Sequence, residues 1–366
     1  MKVVIDAYPL LVRSAGVKNY LFHWVDALRR VAPPGAIGTL PAIGSRAELR
    51  HEGSVTGVWT TWLGLATLAI ANHTGLRLLD GMTRNADIFH VSSLMRKPPR
   101  RPLLTATVHD LTAWIMPELH LTANREADRH LADNLRRAHG IIAVSEATRQ
   151  DAIRLLGIAP EKIVTIHSGV ASAFFHVPPD SIASVRARYQ LKREFILAIG
   201  TIEPRKNFSG LVGAYRALPA ALQDEFELVV AGPMGWADPQ TARSVRSVRY
   251  LGYVAERDIA ALTAAATVFA YPSLYEGFGF PVAQAMAAGV PVITSNISAL
   301  PEIAGDAALL VDPRSQMELR DALNRLLIYP DIRARMSQRG RERAEQFRWE
   351  ACAAQSWRFF QQLTDG

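Results

Sequence analysis

A carboxylate and two glycines stand just before a predicted helix. Glu276 is followed by Gly277 and Gly279, which let the backbone bend sharply and a ligand approach it closely. Phe280, before Pro281 at the helix start, has no side-chain oxygen to cap the first-turn N–H groups, so these donors suit an anion. Because an anion repels a carboxylate, Glu276 suits hydroxyl groups one step further out. The pattern suggests a phosphate carrying polyhydroxylated groups, or else a surface turn with a solvated carboxylate.

Two adjacent cations form the second chemical motif. Arg205 and Lys206 follow a predicted strand at 195–200 and precede a predicted helix at 208–217. Arginine presents a planar fork of donors and lysine a mobile point charge, so the pair can bind a diphosphate. The alternative is an ion pair with Glu203 on the protein surface.

A histidine ends another predicted strand. His109 follows the apolar run at 103–108 and precedes Asp110, which can orient the ring or cap the next segment. Site residues of open α/β folds gather at the carboxyl ends of the strands, where this histidine stands. A lone histidine is more often structural, and that interpretation stays open.

The elements that must position these residues are short apolar strands alternating with helices. Strands are predicted at 2–6, 87–91, 103–108, 140–145, 163–166, 195–200, 226–231, 249–254, 268–271, 290–294 and 309–311. Helices are predicted at 18–31, 124–138, 146–156, 208–217, 282–288 and 347–363, and from 258 and 314 onward. Apolar runs of this length, separated by helices, predict buried strands in parallel sheets. The fold class is therefore predicted to be α/β.

Length and composition limit the class of protein. A chain of 366 residues is long for one core, so two domains are predicted. The net charge of +7 is compatible with phosphate ligands, anionic lipid or nucleic acid, and it selects none of them. A single cysteine, Cys352, excludes an internal disulfide and a cysteine-based zinc site, and it is expected to be inert packing.

Signals for membranes are weak in this sequence. Residues 1–6 turn polar too quickly for a signal peptide, and no run of about 20 apolar residues predicts a spanning helix. Residues 58–71 come closest; they predict a buried helix or loop, with an acceptor-side or membrane-contacting element as the alternative. The basic loop at 96–101 (RKPPRR) is predicted to be a solvated face, with anionic lipid or a pyrophosphate-linked acceptor as alternative partners.

Four stretches of the second half together form a known pattern: EPRKN at 203–207, EGFGFP at 276–281, AQAMA at 283–287 and GVPV at 289–292. They resemble the signature of the retaining glycosyltransferases of family 4. The second half is similar to the bacterial mannosyltransferases of that family, and the first half has scattered matches.

The resemblance implies a GT-B fold, in which two doubly wound, Rossmann-like domains face each other across a cleft. Residues 1–180 would form the N-terminal, acceptor-binding domain. Residues 190–346 would form the C-terminal domain that binds the nucleotide sugar, and 171–193 the crossover between them. A terminal helix at about 347–366 would pack back on the first domain.

The resemblance also implies roles for individual residues. Four catalytic residues are predicted: Glu276 contacts the donor sugar, Arg205 and Lys206 bind its diphosphate, and His109 contacts the sugar from the first domain. The predicted donor-binding residues are Gly16, Gly252, Tyr253, Val254, Gly277, Phe278, Gly279 and Gln284. Gly16 is what remains of a glycine pair that the family has near the donor phosphates, and Gln284 replaces a second Glu that contacts the ribose.

The activity implied is retaining transfer of a sugar from a nucleotide-diphosphate donor, with mannose from GDP-mannose as the best match and UDP-sugars left open. The acceptor would be lipid-linked or a saccharide in glycan biosynthesis. We expect no cofactor and no metal, because the sequence has no Asp-x-Asp motif, and no nucleic-acid partner. The expected location is the cytoplasm, at the inner face of the cytoplasmic membrane, with peripheral contact to anionic lipid.

Two alternatives remain from the sequence. One is a sugar-nucleotide epimerase on the same fold, which would act without an acceptor. The other is a degenerate, non-catalytic glycosyltransferase homologue that serves as a scaffold. Gln284 and the missing glycine before Gly16 favour the scaffold, whereas Glu276 and the two cations argue against it.

Overall fold

The computed structural model describes residues 1–13, 16–44, 49, 53–74, 78–92, 94–119 and 122–365, with the backbone alone at 122–128. The chain forms two compact units. The first is Met1–Gly169 together with Trp349–Gly366, and the second is Val170–Arg348. The prediction ended the first domain at residue 180 and began the second at 190, whereas the second unit of the structure begins at Val170.

The first unit is built on a six-stranded parallel sheet. Its strands are β1 (Val3–Asp6), β2 (Ile37–Leu40), β3 (Ile88–Val91), β4 (Leu103–Val108), β5 (Gly140–Ala143) and β6 (Ile163–Thr165). Their order across the sheet is β2-β1-β3-β4-β5-β6, and Val3 lies between Ile37 and Ile88. β1, β3 and β5 are buried along their whole length, as expected where helices cover both faces of a sheet.

Six α-helices lie in the described part of the first 169 residues of this unit. They are α1 (Gly16–Val31), α2 (Val58–His73), α3 (Leu78–Met82), α4 (Thr112–Ile115), α5 (Thr122–Arg137) and α6 (Glu146–Leu156). The ends of α6 follow from its sequence. Ser145 Oγ accepts the Thr148 N–H at 3.0 Å, and Gly157 stops the helix in the left-handed conformation with φ of 65°.

Helix α2 differs from its prediction. The sequence predicts a buried helix or loop at 58–71, and a helix forms, but only one of its faces is covered. Trp59 is 84% exposed and Trp62 is 66% exposed, whereas Leu68 and Ala71 are buried. The prediction of a buried segment is therefore wrong for the face that carries the tryptophans.

The second unit has its own six-stranded parallel sheet. Its strands are β7 (Glu194–Ile199), β8 (Phe226–Ala231), β9 (Arg249–Gly252), β10 (Val268–Tyr271), β11 (Val292–Ser295) and β12 (Ala308–Val311). Their order is β12-β11-β10-β7-β8-β9, so the chain starts in the middle, builds one half, and returns to build the other. The strand order reverses between β7 and β10, which is where open α/β sheets bind ligands. The two parallel sheets confirm the predicted α/β class.

Nine helices of the second unit cover this sheet. They are α7 (Pro179–Arg188), α8 (Phe208–Arg216), α9 (Ala220–Glu225), α10 (Pro239–Arg246), α11 (Glu256–Ala264), α12 (Phe280–Ala287), α13 (Leu300–Ala304), α14 (Gln316–Ile328) and α15 (Pro330–Ala344). The core contains Ile196 and Val230 from the strands, with Leu211 and Leu323 from α8 and α14. Helix α7 occupies the stretch that was predicted as a crossover.

The last helix of the chain, α16 (Trp349–Asp365), belongs to the first unit. The indole N–H of Trp24, on α1, donates to Ser356 Oγ of α16 at 2.9 Å. Phe360 is fully buried, and its ring lies 6.1 Å from the ring of Trp24. The hydrophobic side of α1 is thus covered by the end of the chain.

Candidate active site

The two chemical motifs of the second unit meet where the strand order reverses. Arg205 and Lys206 follow β7 in a short 3-10 turn, Pro204–Lys206, and Glu276 follows β10. Asn207, with φ of 55°, then turns the chain into α8. Because β7 and β10 are neighbours in the sheet, their carboxyl ends bring together residues that are 70 positions apart in sequence.

Glu276 is the centre of this cluster. Its Oε1 atom lies 2.5 Å from Lys206 Nζ and 3.0 Å from Arg205 Nη1. The same oxygen accepts the hydroxyls of Tyr271 at 2.9 Å and Ser273 at 2.7 Å. Burial acts to raise the pKa of Glu276, but the charges of Arg205 and Lys206 outweigh it and lower the pKa to about 2. The carboxylate is therefore held in its ionised form.

The two cations are themselves nearly buried. The side chain of Arg205 is 15% exposed, donates to the Tyr275 carbonyl at 2.6 Å and pairs with Glu203 at 2.6 Å. The side chain of Lys206 is 11% exposed, and its pKa is lowered by burial and by Arg205, against the opposing effect of Glu276. The ion pair with Glu203 exists, although not at the surface as the alternative interpretation had it. Two cations face two carboxylates, so the cluster is neutral before a ligand arrives.

Tyr271 was not predicted as a site residue. It is the last residue of β10, is 1% exposed, and receives a hydrogen bond from Lys206 Nζ at 2.5 Å while donating to Glu276. Burial raises the pKa of this phenol well above its usual value, with Glu276 acting in the same direction. Sequence reasoning counted it as an apolar strand residue. Its hydroxyl, at the carboxyl end of a strand beside the motif, was the signal available.

The glycine loop leads into α12 as predicted, but some of the N–H groups in the first turn of α12 already donate hydrogen bonds. Gly279 has φ of 95°, and a side chain there would place its Cβ 2.6 Å from Leu300 Cδ2, so only glycine fits. No side chain among the described residues caps α12. The N–H groups of Val282 and Ala283 both donate to the Gly279 carbonyl, at 3.0 and 3.3 Å. These two donors therefore already have a backbone partner.

The other predicted residues of this loop differ in environment. Phe278 is 3% exposed, and its ring packs edge-on against Phe280 at 5.1 Å and Phe347 at 5.6 Å. Its side chain thus belongs to the core, while Gly277 links it to Glu276. Gln284 lies one turn into α12 and is partly buried.

The predicted base-contacting turn follows β9. Gly252, with φ of 69°, accepts the Gly232 N–H through its carbonyl at 2.7 Å, which ties the ends of β8 and β9 together. Tyr253 is 45% exposed, whereas Val254 is buried. Of these three residues, Tyr253 is the one that presents a side chain at the surface. Their contact with a nucleotide remains a prediction.

His109, in the first unit, follows β4 and packs edge-on against Tyr20, with the ring centres 4.7 Å apart. Burial lowers the pKa of His109 to about 4, although Asp110 acts in the opposite direction. The imidazole is therefore neutral at pH 7. Asp110 Oδ1 accepts the backbone N–H of Thr112 at 3.1 Å and its hydroxyl at 2.9 Å, so it stabilises the start of α4.

A second histidine of this unit was missed by the sequence analysis. His90, in β3, is 4% exposed, and its two ring nitrogens lie 2.9 Å from Thr105 Oγ1 and 3.0 Å from Thr107 Oγ1. Burial lowers the pKa of His90 to about 3, and His109 acts in the same direction. Both nitrogens have partners inside the sheet, which makes this residue part of the core.

Gly16 is the first residue of α1, and a Cβ added to it would meet no described atom within 4 Å. Ser14 and Ala15, which precede Gly16 in the sequence, lie outside the described residues. Across the described ranges, no group of three or more His, Cys, Asp or Glu side chains is placed to hold a metal ion. Within the same part of the chain, none of the helices has the length and apolar character needed to cross a membrane.

Two family models match the chain. The model described as Glycosyl transferases group 1 matches residues 183–343, and the model described as Glycosyltransferase Family 4 matches residues 40–174. O-antigen chain mannosyltransferase B of Escherichia coli is 37% identical over 267 residues, which cover 71% of this chain and 70% of that protein. The serotype-specific mannosyltransferase WbdA of Escherichia coli is 31% identical over 233 residues, which cover 60% of this chain but 28% of WbdA.

Solved structures share the fold over nearly the whole chain. Sucrose-phosphate synthase from Thermosynechococcus elongatus superposes with a TM-score of 0.74 at 21% identity, with complete coverage (100%) of both chains. Anabaena HepE in complex with UDP and glucose gives a TM-score of 0.71 at 17% identity, covering 99% of this chain and 100% of its own. These similarities confirm the predicted architecture of two α/β domains.

Proposed function

The chain belongs to glycosyltransferase family 4 and has the GT-B fold, and on this premise we propose that it transfers mannose from GDP-mannose to a lipid-linked or saccharide acceptor. The transfer serves polysaccharide synthesis. Two Escherichia coli relatives, one of them O-antigen chain mannosyltransferase B, support mannose as the sugar. An acceptor of the lipid-linked kind would put the enzyme at the inner face of the cytoplasmic membrane.

The observation that carries the proposal is the neutral cluster of Arg205, Lys206, Glu203 and Glu276 at the switch point of the second sheet. A diphosphate brings negative charge that competes with the carboxylates for the two cations. Once Lys206 and Arg205 hold the phosphates, Glu276 becomes available to accept hydrogen bonds from the sugar hydroxyls. Charge fixed in advance at a leaving group is a strong source of transition-state stabilisation.

The chemistry follows from this assignment. The bond between the anomeric carbon and the diphosphate oxygen breaks, and the acceptor oxygen forms its new bond to the same face of the sugar. The acceptor proton passes to the departing phosphate, so the proposal needs no separate base. Arg205 and Lys206 supply the positive charge that stabilises the leaving group. His109 is proposed as a further catalytic residue, and its ring is neutral near pH 7 because burial lowers its pKa to about 4.

Calorimetry of the full chain tests the donor. We would titrate GDP, UDP, ADP, GDP-mannose and UDP-glucose into the wild type, Lys206→Ala and the control Lys192→Ala, whose side chain is exposed in the same unit. We expect GDP and GDP-mannose to bind and Lys206→Ala alone to lose them. Tighter binding of UDP-glucose would move the proposal to a glucosyl donor.

Product analysis then tests the reaction. GDP-mannose with a mannose-containing saccharide acceptor, with and without a chelator, should give a product whose anomeric configuration matches the donor. Conversion of the sugar nucleotide without an acceptor would indicate the epimerase instead. Donor binding with neither transfer nor hydrolysis would indicate the scaffold, which Gln284 favours.

A further inference from the structure

An apolar stripe runs along the outer face of α2. Its most exposed members are Val58 (83%), Trp59 (84%), Trp62 (66%), Leu63 (64%) and Ile70 (41%). Residues three, four or seven positions apart lie on the same side of a helix, and the spacing of these five residues places them on one side. The opposite side is the buried one and carries Gly64, Leu68 and Ala71. We call the five exposed residues the α2 stripe.

The α2 stripe is unusual for a helix at a protein surface. The helix contains no Asp, Glu, Lys or Arg, and it is apolar on both faces. A helix that is hydrophobic all round is normally buried, and a contiguous exposed apolar patch marks an interaction site. In α3, Leu78 is 43% exposed and Met82 is 57% exposed. They add exposed apolar side chains next to the stripe, because α3 contacts α2.

The basic loop at 96–101 is attached to the end of this helix. Lys97 Nζ donates to the Thr74 carbonyl at 3.0 Å, at the point where α2 ends. The Arg96 backbone N–H donates to Asn72 Oδ1 at 2.8 Å, and the Arg100 N–H donates to Asp80 of α3 at 2.9 Å. The apolar helices and the cations therefore form one continuous surface.

The prolines of the loop decide which side chains face outward. Pro98 and Pro99 are buried, whereas all four cations of the loop are exposed: Arg96, Lys97, Arg100 and Arg101. The prolines thus anchor the loop, and its four positive charges face the solvent. The loop contains no acidic residue. Four positive charges therefore lie beside the apolar α2 stripe. This combination is complementary to an anionic lipid bilayer, which has an apolar interior and a negatively charged surface.

We propose that the α2 stripe and the loop at 96–101 form a docking surface for an anionic phospholipid bilayer. Helix α2 lies in the plane of the interface, with Trp59 and Trp62 at the level of the headgroups and the four cations against lipid phosphates. The amphipathic indole ring suits this depth. The identity of the membrane rests on the proposed function, because a lipid-linked acceptor would be found there. The docking surface itself does not depend on the reaction.

Vesicle flotation tests the proposal. The full chain is mixed with vesicles of phosphatidylcholine alone or with added phosphatidylglycerol. The variants are Trp59→Ser/Trp62→Ser and Arg100→Gln/Arg101→Gln, with Met317→Ser/Arg335→Gln as a control at exposed positions of the second unit.

We expect the wild type and the control to bind the anionic vesicles. Trp59→Ser/Trp62→Ser should weaken vesicle binding about tenfold or more, because the variant buries less apolar surface in the bilayer. Loss of two arginines should weaken it roughly 25-fold, at about 1 kcal/mol for each cation, and only on anionic vesicles. Added salt should reproduce the arginine effect and leave the tryptophan effect.

Two outcomes would overturn the docking surface. One is that both double variants float with the vesicles as the wild type does. The other is that the chain self-associates without lipid and Trp59→Ser/Trp62→Ser abolishes this, which would assign the stripe to a second copy. GDP affinity and circular dichroism verify that each variant is folded. Transfer to a soluble saccharide separates the two proposals, because it can fail while vesicle binding persists.

Discussion

Replacing Glu276 with glutamine would leave two nearly buried cations without their shared carboxylate. In the wild type, one oxygen of Glu276 takes the ion pairs of Lys206 and Arg205 and two hydroxyl hydrogen bonds. Glutamine has the shape of the protonated carboxyl group. The difference in stability between the two proteins at neutral pH therefore approximates how much more favourable the ionisation of Glu276 is in the folded state than in the unfolded state.

The size of this difference follows from the pKa. The fold lowers the pKa of Glu276 from 4.5 to about 2. At about 1.4 kcal/mol per pKa unit, the ionised form contributes about 3.5 kcal/mol to the free energy of unfolding. Because the folded pKa is the lower one, this contribution is complete above pH 4.5 and is lost as the pH falls toward 2. At about pH 3.5, roughly 1.4 kcal/mol of it is gone. Lys206 can release its proton in the variant, so the figure is an upper limit.

Urea unfolding of the full chain at neutral pH and at about pH 3.5 measures the effect. The control is Glu345→Gln, because Glu345 forms an exposed ion pair with Arg348 and its loss should cost less than about 1 kcal/mol. We expect Glu276→Gln to be less stable by up to about 3.5 kcal/mol at neutral pH, with a smaller deficit in acid. Equal stability at neutral pH, or a deficit that does not shrink in acid, would refute the reasoning.

Four further outcomes are expected. Lys206→Ala should weaken GDP binding tenfold or more in calorimetry, because a buried cation is lost from the diphosphate site; unchanged affinity would remove Lys206 from that site. Glu276→Gln should bind GDP at least as tightly as the wild type while transfer falls, since the carboxylate no longer competes for Lys206; weaker GDP binding would contradict this. Transfer should show no titration of His109 between about pH 5 and 8, because burial lowers its pKa to about 4; a step near pH 6.5 that vanishes in His109→Asn would contradict this. Gly232→Ala should cost about 3 kcal/mol or more in thermal unfolding, because its Cβ would lie 2.0 Å from the Gly200 carbonyl at φ of 138°; a stable variant would contradict the geometry.

The sequence was most informative about which residues come together. The resemblance to family 4 implied that Arg205, Lys206 and Glu276 serve one donor, and in the structure Lys206 and Arg205 lie within 3.0 Å of the carboxylate. The sequence could not show that Glu276 itself would pair with the cations. The prediction weighed the charge of Glu276 only against a phosphate, whereas in the structure this charge is paired with Lys206 and Arg205. Tyr271 was missed because the apolar pattern of a strand that ends in tyrosine is the same whether or not the tyrosine hydroxyl forms hydrogen bonds in a site.

Parts of the fold were beyond sequence reasoning for physical reasons. Strand β2 has four residues, two of which are Gly38 and Thr39, so no apolar run marks it. Helix α7 buries one residue, Val185, and so lacks an apolar periodicity. Helix α2 has apolar side chains on both its buried and its exposed face, so its hydropathy does not distinguish the face that packs from the face that stays exposed.

The position of α16 sets an order of events while the chain is being made. The second unit, Val170–Arg348, is continuous and can close once its own residues have left the ribosome. Most of the first unit is synthesised earlier, but it cannot complete its fold at that stage. Ser356, which accepts the hydrogen bond of Trp24, is synthesised 332 residues after it. Until α16 has been made, the apolar side of α1 lacks the cover that Ser356 and Phe360 provide. A nascent chain cut before Trp349 would hold a finished second unit and an unfinished first one.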